Sequence, residues 1–352
     1  MNDFKNILIV RTDRIGDVVL TTPAIKVLRQ AYPAARISIL VAPLTKDLVT
    51  GNLYLDEIIV DDRRGVHRGI FGFWHLASVL RQKKFDLAIV YHTKKRTNFL
   101  CWAAGIPRRT GCKNAKFGFL LNDPIRDERH FGKRHEAQYC LDVLKHLGIS
   151  GNSIFDKSPQ DLAEDLYIPV SADSWAWIEG LCREQHISGK ERLIAIHPGA
   201  SDPAKCWSEG QFAELIDQLV NRYQARIVLI GAPQIAGVAR RIISGIHVPV
   251  LDLTGKTTVG QMAGLLKRCN LLVSNDSGPA HIAAGVKTPC VSIFTRNQPG
   301  INPQRWQPFG KLSRVVVSAP PVKSPVQGGT QCPETIPTRA VLEAVDALFK
   351  LC

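Results

Sequence analysis

Three short segments combine small residues with charged or hydrogen-bonding side chains, and each directly follows a run of apolar residues. They read RTDRIGD at 11–17, HPGASDPAKCW at 197–207 and SNDSGPAH at 274–281. A loop of small residues with a lysine can bind phosphate through backbone N–H groups and an ammonium, and a helix N-terminus favours anions. The sequence therefore indicates anion binding at two loops, with an acidic side chain in a third.

The first segment places Asp17 directly after Gly16, which lets the backbone approach a ligand closely. Asp17 then lies near a helix N-terminus, where the helix dipole favours the ionised carboxylate. The alternative is that Asp17 only caps this helix. The dinucleotide fingerprint G-x-G-x-x-G is absent, so the segment does not predict a dinucleotide site.

The second and third segments are predicted to bind phosphate. Lys205 follows a loop of small residues, although the loop lacks the Gly-Lys-Ser/Thr of a Walker motif, and an ordinary strand-to-helix loop with a surface lysine is the alternative. Ser277 and Gly278 precede Pro279, a favoured first helical residue, so the helix N-terminus suits a pyrophosphate. His281 falls near the first turn, where it either adds a donor or is structural.

Runs of four to six apolar residues predict the strands that position these segments, and such runs are typical of strands buried on both faces of a parallel sheet. We expect strands at 7–10, 37–41, 57–60, 87–91, 193–197, 226–230, 250–253, 271–274 and 290–294. Helical apolar periodicity fills the gaps, as in Leu20, Ala24, Val27, Leu28 and Ala31. Alternating strands and helices predict right-handed βαβ units, and the pattern occurs twice.

The fold class is therefore α/β, with two Rossmann-like domains that have parallel sheets. We place the first domain at 1–172, the second at 173–336 and a closing helix at 337–352, whose apolar face holds Val341, Ala344, Val345 and Leu348. A loop rich in Pro, Gly and Ser precedes that helix at 318–330.

Charge and cysteine content narrow the class of protein. Among 352 residues, Lys and Arg outnumber Asp and Glu by 45 to 31, and such a surplus attracts nucleic acid, anionic lipid or a phosphorylated substrate. The basic residues crowd into 63–134 without forming a long tail. Nine scattered cysteines without a C-x-x-C argue against a zinc module or a disulfide framework and for a reducing compartment. No apolar run reaches about 18 residues, so we expect a cytoplasmic protein with at most peripheral membrane contact.

The chain resembles the ADP-heptose:lipopolysaccharide heptosyltransferases, glycosyltransferase family 9. Three motifs together carry the resemblance: RTDRIGDVVLTTPA, HPGAS…KCW and VSNDSGPAHIAA. The resemblance covers essentially the whole chain, including Gly231-Ala232-Pro233. It implies a GT-B fold of two facing Rossmann domains, with the acceptor bound by the first and the nucleotide-sugar by the second. It also implies inversion at the anomeric centre and a closing helix that crosses back to pack on the first domain.

The resemblance also assigns roles to residues. It makes Asp17 the general base and Lys205 the residue that steadies the donor phosphates. The implied donor-binding residues are Gly199, Ala200, Ser201, Lys205, Gly231, Thr257, Asp276, Ser277, Gly278 and His281. The implied acceptor-binding residues are Arg14, Gly16, Arg63, Arg64, Lys95, Arg96 and His135.

No cofactor is expected, because no DxD-type motif lies near either phosphate loop; Asp61, Asp62 and Asp123 leave a divalent cation such as Mg²⁺ open. The resemblance predicts an anionic glycolipid acceptor and peripheral contact with the cytoplasmic face of the inner membrane. Phe71, Phe73 and Trp74 are expected either to touch the bilayer or to fill the core.

One position departs from the family pattern. Some relatives carry a carboxylate two residues after the Gly-Ala-Pro proline, where this chain has Ile235, so transfer of another nucleotide-activated sugar stays an alternative. A non-catalytic sugar-nucleotide-binding protein is the alternative of another class. Nucleic-acid binding rests on charge alone, so no nucleic-acid partner is expected, and we expect a monomer.

Overall fold

The computed structural model describes residues 3–113, 117–318 and 336–351. It divides the chain into two compact units, Met1–Pro169 and Val170–Cys352, so the first unit ends three residues before the predicted boundary at 172. Most of the loop predicted at 318–330 lies outside the described residues.

The first unit is a six-stranded parallel sheet with helices between its strands. The strands are β1 Asn6–Arg11, β2 Arg36–Val41, β3 Glu57–Val60, β4 Leu87–Val90, β5 Arg108–Cys112 and β6 Asp123–Ile125. The helices are α1 Ile15–Ala31, α2 Gly69–Gln82, α3 Lys95–Ala103 and α4 Glu136–His146. The strand order is β3-β2-β1-β4-β5-β6, which is the doubly wound order with a reversal between β1 and β4.

The second unit repeats this plan. Its strands are β7 Leu193–His197, β8 Arg226–Leu229, β9 Val250–Asp252, β10 Leu271–Asn275, β11 Cys290–Phe294 and β12 Ser313–Val317. Its helices are α5 Ala172–Glu184, α6 Glu209–Tyr223, α7 Ala236–Ser244, α8 Val259–Arg268, α9 Gly278–Gly285, α10 Pro303–Trp306 and α11 Thr338–Phe349. The order β12-β11-β10-β7-β8-β9 reverses between β7 and β10, and every pairing is parallel.

All nine predicted strands are confirmed to within one residue at either end. The central strands β1, β4, β7 and β10 are buried almost throughout, because helices cover both faces of each sheet. The predicted two-domain α/β architecture is therefore confirmed.

The closing helix α11 packs within the second unit. Its apolar residues Val341, Leu342, Val345 and Leu348 are buried in the core of that unit, where α11 packs against α6, β11 and β12. Packing of this helix on the first domain stays a prediction.

No helix in the described residues combines the length and the apolar character needed to cross a membrane.

Candidate functional site

In the first unit, the residues after β1 lie where the strand order reverses, which is the place where open α/β sheets bind ligands. Arg11 ends β1, and Thr12 and Asp13 follow it. The Thr12 hydroxyl lies 2.9 Å from Nδ1 of His92, which follows the neighbouring strand β4. This contact links the residues that follow the carboxyl ends of β1 and β4.

Asp17 lies in the first turn of α1 and belongs to a buried cluster of charges. Arg11 is 1% exposed, and its Nη2 lies 3.0 Å from a carboxylate oxygen of Asp17 and 3.0 Å from one of Glu136. Its Nε lies 3.4 Å from Asp13. One guanidinium therefore faces three carboxylates, which it cannot neutralise together.

This surplus of carboxylates changes the acid strength of Asp17. Burial is the largest of the effects that raise the pKa of Asp17 to about 7; Asp13 and Glu136 act in the same direction, and Arg11 opposes them. The helix dipole, which the sequence predicted to favour the ionised carboxylate, acts in the opposite direction to burial. A carboxylate with a pKa near neutrality is well matched to take a proton from a hydroxyl.

The backbone around Asp17 is also held in place. Its carbonyl accepts hydrogen bonds from Arg11 Nε at 3.1 Å and from the Thr21 hydroxyl at 2.8 Å. Gly16 is buried in the same turn, and Arg14 is exposed at the N-cap of α1. These contacts fix the helix start that carries the carboxylate.

Two of the predicted acceptor residues meet on one acidic side chain. Arg63 and Arg96 both donate to Asp61, whose side chain is fully buried, at distances between 2.8 and 3.0 Å. Arg63 also donates to the Thr12 hydroxyl at 2.6 Å, which places this pair beside the end of β1. Within this group, two arginines against one carboxylate leave one positive charge in excess.

The remaining predicted acceptor residues are less closely grouped. Arg64 and Lys95 are exposed. His135 is buried and caps α4, with its Nδ1 accepting from Ala137 N at 3.3 Å, so the structure uses its ring in a helix cap. Its neighbour Glu136 is the residue that contacts Arg11. Contact of His135 with an acceptor stays a prediction.

In the second unit the predicted donor residues lie at the equivalent reversal, between β7 and β10. His197 ends β7, and its Nδ1 lies 3.0 Å from the hydroxyl of Ser277, which follows β10. The Ser277 hydroxyl also lies 2.9 Å from that of Ser274. Because these contacts occupy the hydroxyl, Ser277 stands at the N-cap of α9 without capping it, and Pro279 occupies the first turn. Gly278 begins a helix whose N-terminus has no side-chain cap in the described part of the chain, so its N–H groups are available to bind an anion.

Lys205 lies in the single turn Pro203–Lys205 and contacts the same strand end. Its Nζ lies 2.5 Å from a carboxylate oxygen of Asp276, and both side chains are largely buried. Asp202 caps the turn by accepting from Ala204 N at 3.0 Å, and Arg296 lies 2.5 Å from its other oxygen. The structure therefore brings the second and third segments together within one unit.

Two histidines in this region are buried and neutral. Burial lowers the pKa of His197 to about 4, and it lowers the pKa of His281 to about 4 with help from Lys205. Nδ1 of His281 is buried and has no hydrogen-bond partner in the described part of the chain. A buried ring nitrogen without a partner can serve a bound ligand at little cost.

The predicted glycines lie where loops approach each other closely. A Cβ on Gly231 would lie 2.2 Å from Cδ1 of Ile235, and one on Gly199 would lie 2.9 Å from the same atom. The Gly231 carbonyl accepts from Gly255 N at 2.7 Å. In the loop that follows, the hydroxyl of Thr257 is buried and has no hydrogen-bond partner among the residues that the structure describes. Ile235 therefore fills the space that the two glycines leave. Ala200 and Ser201 continue the loop after Gly199, and Ser201 is exposed.

Across the three described stretches, no group of three or more His, Cys, Asp or Glu residues is placed to hold a metal ion. Two of the carboxylates that the sequence offered as candidate ligands for a divalent cation have basic partners. Asp61 pairs with two arginines, and Asp123 contacts Arg108 and His146.

Sequence reasoning missed Arg11, Asp13 and Glu136 as parts of the site. Arg11 and Asp13 lie inside the RTDRIGD motif. Arg11 is a charged residue at the end of an apolar strand, and this unusual position could have indicated a role in the site. Glu136 is 125 residues from Arg11, and no local pattern links the two.

Comparison with known proteins now assigns the family. Residues 73–333 match the family described as Glycosyltransferase family 9 (heptosyltransferase). The chain is 26% identical over 327 residues to lipopolysaccharide heptosyltransferase 2 of Escherichia coli K12, which covers 88% of this chain and 87% of that protein. It is 30% identical over 295 residues to lipopolysaccharide heptosyltransferase 3 of the same strain, with 79% of each chain covered.

A solved structure shows the same fold. The glycosyl transferase family 9 protein from Veillonella parvula DSM 2008 superimposes with a TM-score of 0.86 at 26% identity, covering 100% of this chain and 99% of that one. The family match spans well over half of the chain and agrees with these relatives in sequence and fold. The protein is therefore a glycosyltransferase and belongs to glycosyltransferase family 9, the heptosyltransferase family.

Proposed function

We propose that this enzyme transfers heptose from ADP-heptose to the inner core of lipopolysaccharide, with inversion at the anomeric carbon. The observation that carries the proposal is the position and acidity of Asp17 in a member of this family. Its carboxyl group lies at the carboxyl end of the first sheet and has a pKa raised to about 7. The two Escherichia coli relatives are both named lipopolysaccharide heptosyltransferases, which supports lipopolysaccharide as the class of acceptor.

The chemistry divides between the two units. An acceptor hydroxyl loses its proton to Asp17 while its oxygen bonds to the anomeric carbon, and the bond from that carbon to the diphosphate oxygen breaks. The departing diphosphate carries the developing negative charge. Lys205 and the uncapped N-terminus of α9 stabilise that charge, and positioned donors of this kind often contribute as much as the base itself.

No cofactor is needed for this step, because an ammonium and a helix N-terminus supply the charge that a metal ion supplies in other transferases. Assistance by Mg²⁺ is the alternative that a chelator experiment decides: transfer that stops with EDTA and returns with Mg²⁺ would replace this part of the proposal.

The acceptor side of the first unit is basic. Arg63 and Arg96 bracket Asp61, and Arg14, Arg64 and Lys95 are exposed, so an acceptor that carries carboxylates or phosphates suits this edge. We propose that the enzyme acts as a monomer, attached peripherally to the cytoplasmic face of the inner membrane where such an acceptor is embedded.

Ile235 supports a second candidate, transfer of another nucleotide-activated sugar. Its apolar side chain packs over Gly199 and Gly231 and offers no hydrogen bond to a ribose. A thermal-shift screen with ADP, UDP, GDP and CDP separates the candidates. Stabilisation by ADP alone supports ADP-heptose, whereas preference for another nucleotide selects the second candidate.

The direct test incubates the purified protein with ADP-heptose and a de-acylated inner-core acceptor, followed by mass spectrometry. We expect the acceptor to gain one heptosyl residue and equimolar ADP to appear. Asp17→Asn is the matched control, which keeps the size of the side chain and removes the base. Release of ADP without a modified acceptor, or no turnover with any nucleotide-sugar, would reject the proposal.

A further inference from the structure

Most of the surplus of positive over negative charge lies in one segment of the first unit. Residues 63–122 contain thirteen Lys and Arg and a single acidic residue, Asp86. The rest of the chain has 32 basic residues against 30 acidic ones, so this segment supplies twelve of the fourteen surplus charges. A charge bias this localised indicates an anionic partner for one face of the first unit.

The same segment carries most of the exposed apolar side chains. Of the twelve large hydrophobic residues exposed in the described parts of the chain, seven fall here. They are Val66, Ile70, Phe71, Trp74, Trp102, Phe117 and Phe119. Phe71 is 89% exposed and Phe119 is 76% exposed, which a water-soluble surface does not require.

Four of the five exposed aromatic side chains, Trp74, Trp102, Phe117 and Phe119, are connected through the ring of Phe99, and Phe71 lies three residues before Trp74 on α2. The centroid of Phe99 lies 6.0 Å from that of Trp74, 5.5 Å from that of Trp102 and 6.3 Å from that of Phe117. Phe117 in turn lies 5.7 Å from Phe119. We call Phe71, Trp74, Trp102, Phe117 and Phe119 the aromatic patch.

The patch rests on a rigid base. Phe73 is buried and stacks on Phe99 at 5.1 Å, so of the three aromatics expected to touch a bilayer or fill core, Phe73 fills core. The patch spans α2, α3 and the turn Gly118–Leu120, and these elements contact one another. Lys95 Nζ lies 5.9 Å from the ring of Phe117, and Arg64, Arg68 and Lys113 are also exposed in this segment.

We propose that the aromatic patch and its basic neighbours form a docking surface for an anionic lipid bilayer. Aromatic side chains partition to the headgroup level of a membrane, and Lys and Arg beside them are attracted to acidic headgroups. The proposal rests on the proposed function for its membrane context and deepens it by naming the face of the first unit that binds.

The test is flotation of the full-length protein with vesicles of phosphatidylethanolamine and phosphatidylglycerol, compared with phosphatidylcholine vesicles. Wild-type protein should float with the anionic vesicles and lose that binding as salt rises. The triple variant Phe71→Ser/Trp102→Ser/Phe119→Ser should bind at least about tenfold more weakly, because the buried apolar area is lost. Leu44→Ser/Leu53→Ser is the matched control, since these residues are 63% and 77% exposed outside the segment, and it should float like wild type.

A second pair of variants tests the charge. Arg68→Glu/Lys113→Glu should weaken flotation at low salt, whereas Arg240→Glu/Lys350→Glu, two exposed positions in the second unit, should not. If the triple variant fails to fold, Phe71→Ser alone serves, because its side chain is almost fully in solvent.

Several results would overturn the proposal. They are equal flotation with neutral vesicles, a triple variant that still floats, a wild-type dimer that the triple variant converts to monomer, and competition by RNA at lower concentration than by lipid. Transfer to the de-acylated acceptor, measured on the same preparations, keeps the two proposals apart. Flotation without transfer would reject the proposed reaction and support the docking surface. Transfer without flotation would reject the docking surface and support the proposed reaction.

Discussion

Arg11 is the residue that organises the candidate catalytic carboxylate. It is buried and contacts Asp13, Asp17 and Glu136, and its own pKa is raised well above its usual range despite the cost of burial. One positive charge faces three carboxylates, so the negative charges of Asp13 and Glu136, together with burial, raise the pKa of Asp17. A carboxylate with a raised pKa is a stronger base, which suits a general base.

Replacing Glu136 with Gln should therefore move the pH dependence of transfer. Removing this negative charge lowers the pKa of Asp17, so the rise of kcat/KM with pH should shift to lower pH than in the wild type. The measurement is a pH profile of kcat/KM with the soluble acceptor. Asp142→Asn on the same helix is the control, because Asp142 pairs with Arg134 instead, and its profile should be unchanged. A Glu136→Gln profile that coincides with the wild type would separate Glu136 from the base.

Lys205 should matter for donor binding. Lys205→Ala removes the ammonium 2.5 Å from Asp276 and leaves that carboxylate facing the phosphate loop. We expect ADP and pyrophosphate to bind about tenfold more weakly or worse, as loss of a charged hydrogen bond predicts. Isothermal calorimetry measures this, with the exposed Lys190→Ala as the control. Unchanged affinity for both ligands would remove Lys205 from the phosphate site.

At the scale of elements, α1 holds the base although a proline interrupts its hydrogen bonding. Pro23 has no N–H to donate to the carbonyl of Val19, and the hydroxyl of Thr22 donates to that carbonyl at 2.8 Å. The Thr22 hydroxyl also accepts from Tyr167 N at 3.3 Å. The helix therefore continues from Ile15 to Ala31 through Pro23.

Thr22→Val should test this repair. Both hydrogen bonds are lost at a site that is 1% exposed, so unfolding should become easier by about 1–3 kcal/mol. The urea midpoint of the first unfolding transition measures the change. Thr50→Val, which removes an exposed hydroxyl that bonds Lys46, should alter the midpoint little. Equal midpoints for the wild type and Thr22→Val would show that α1 does not need the threonine.

The amino-acid composition of each strand explains whether the sequence predicted it. Central strands are continuous apolar runs, and all of them were predicted. The missed strands β5, β6 and β12 lie at or near the sheet edges, and their residues are largely polar or only partly buried. Arg108–Cys112 contains two arginines and a glycine, so pairing with β4 rather than hydrophobicity defines it.

At the scale of the whole molecule, the sequence predicted a repeated doubly wound plan because parallel strands gather their carboxyl ends at one edge. That rule brings the second and third segments, which follow β7 and β10, to the same edge of one sheet. It could not place Glu136, because the packing of α4 on α1 brings it to Arg11 from far along the chain. The packing of α11 on the second unit likewise depends on which apolar faces remain uncovered.

The charge distribution also belongs to this scale. Residues 63–122 supply twelve of the fourteen surplus positive charges, whereas the rest of the chain is nearly balanced. A protein with this asymmetry is attracted to an anionic surface through its first unit, and salt should weaken that attraction.

The most direct test of the catalytic assignment is the pH profile of transfer by the wild type and by Asp17→Asn. We predict that wild-type kcat/KM rises tenfold per pH unit below about pH 7 and levels off above it, since Asp17 must be ionised to accept the proton. Asp17→Asn should lose about 10²–10⁴-fold of the activity and the pH dependence with it. A variant that retains near-normal transfer with the same rise near pH 7 would contradict the role of Asp17 as the base.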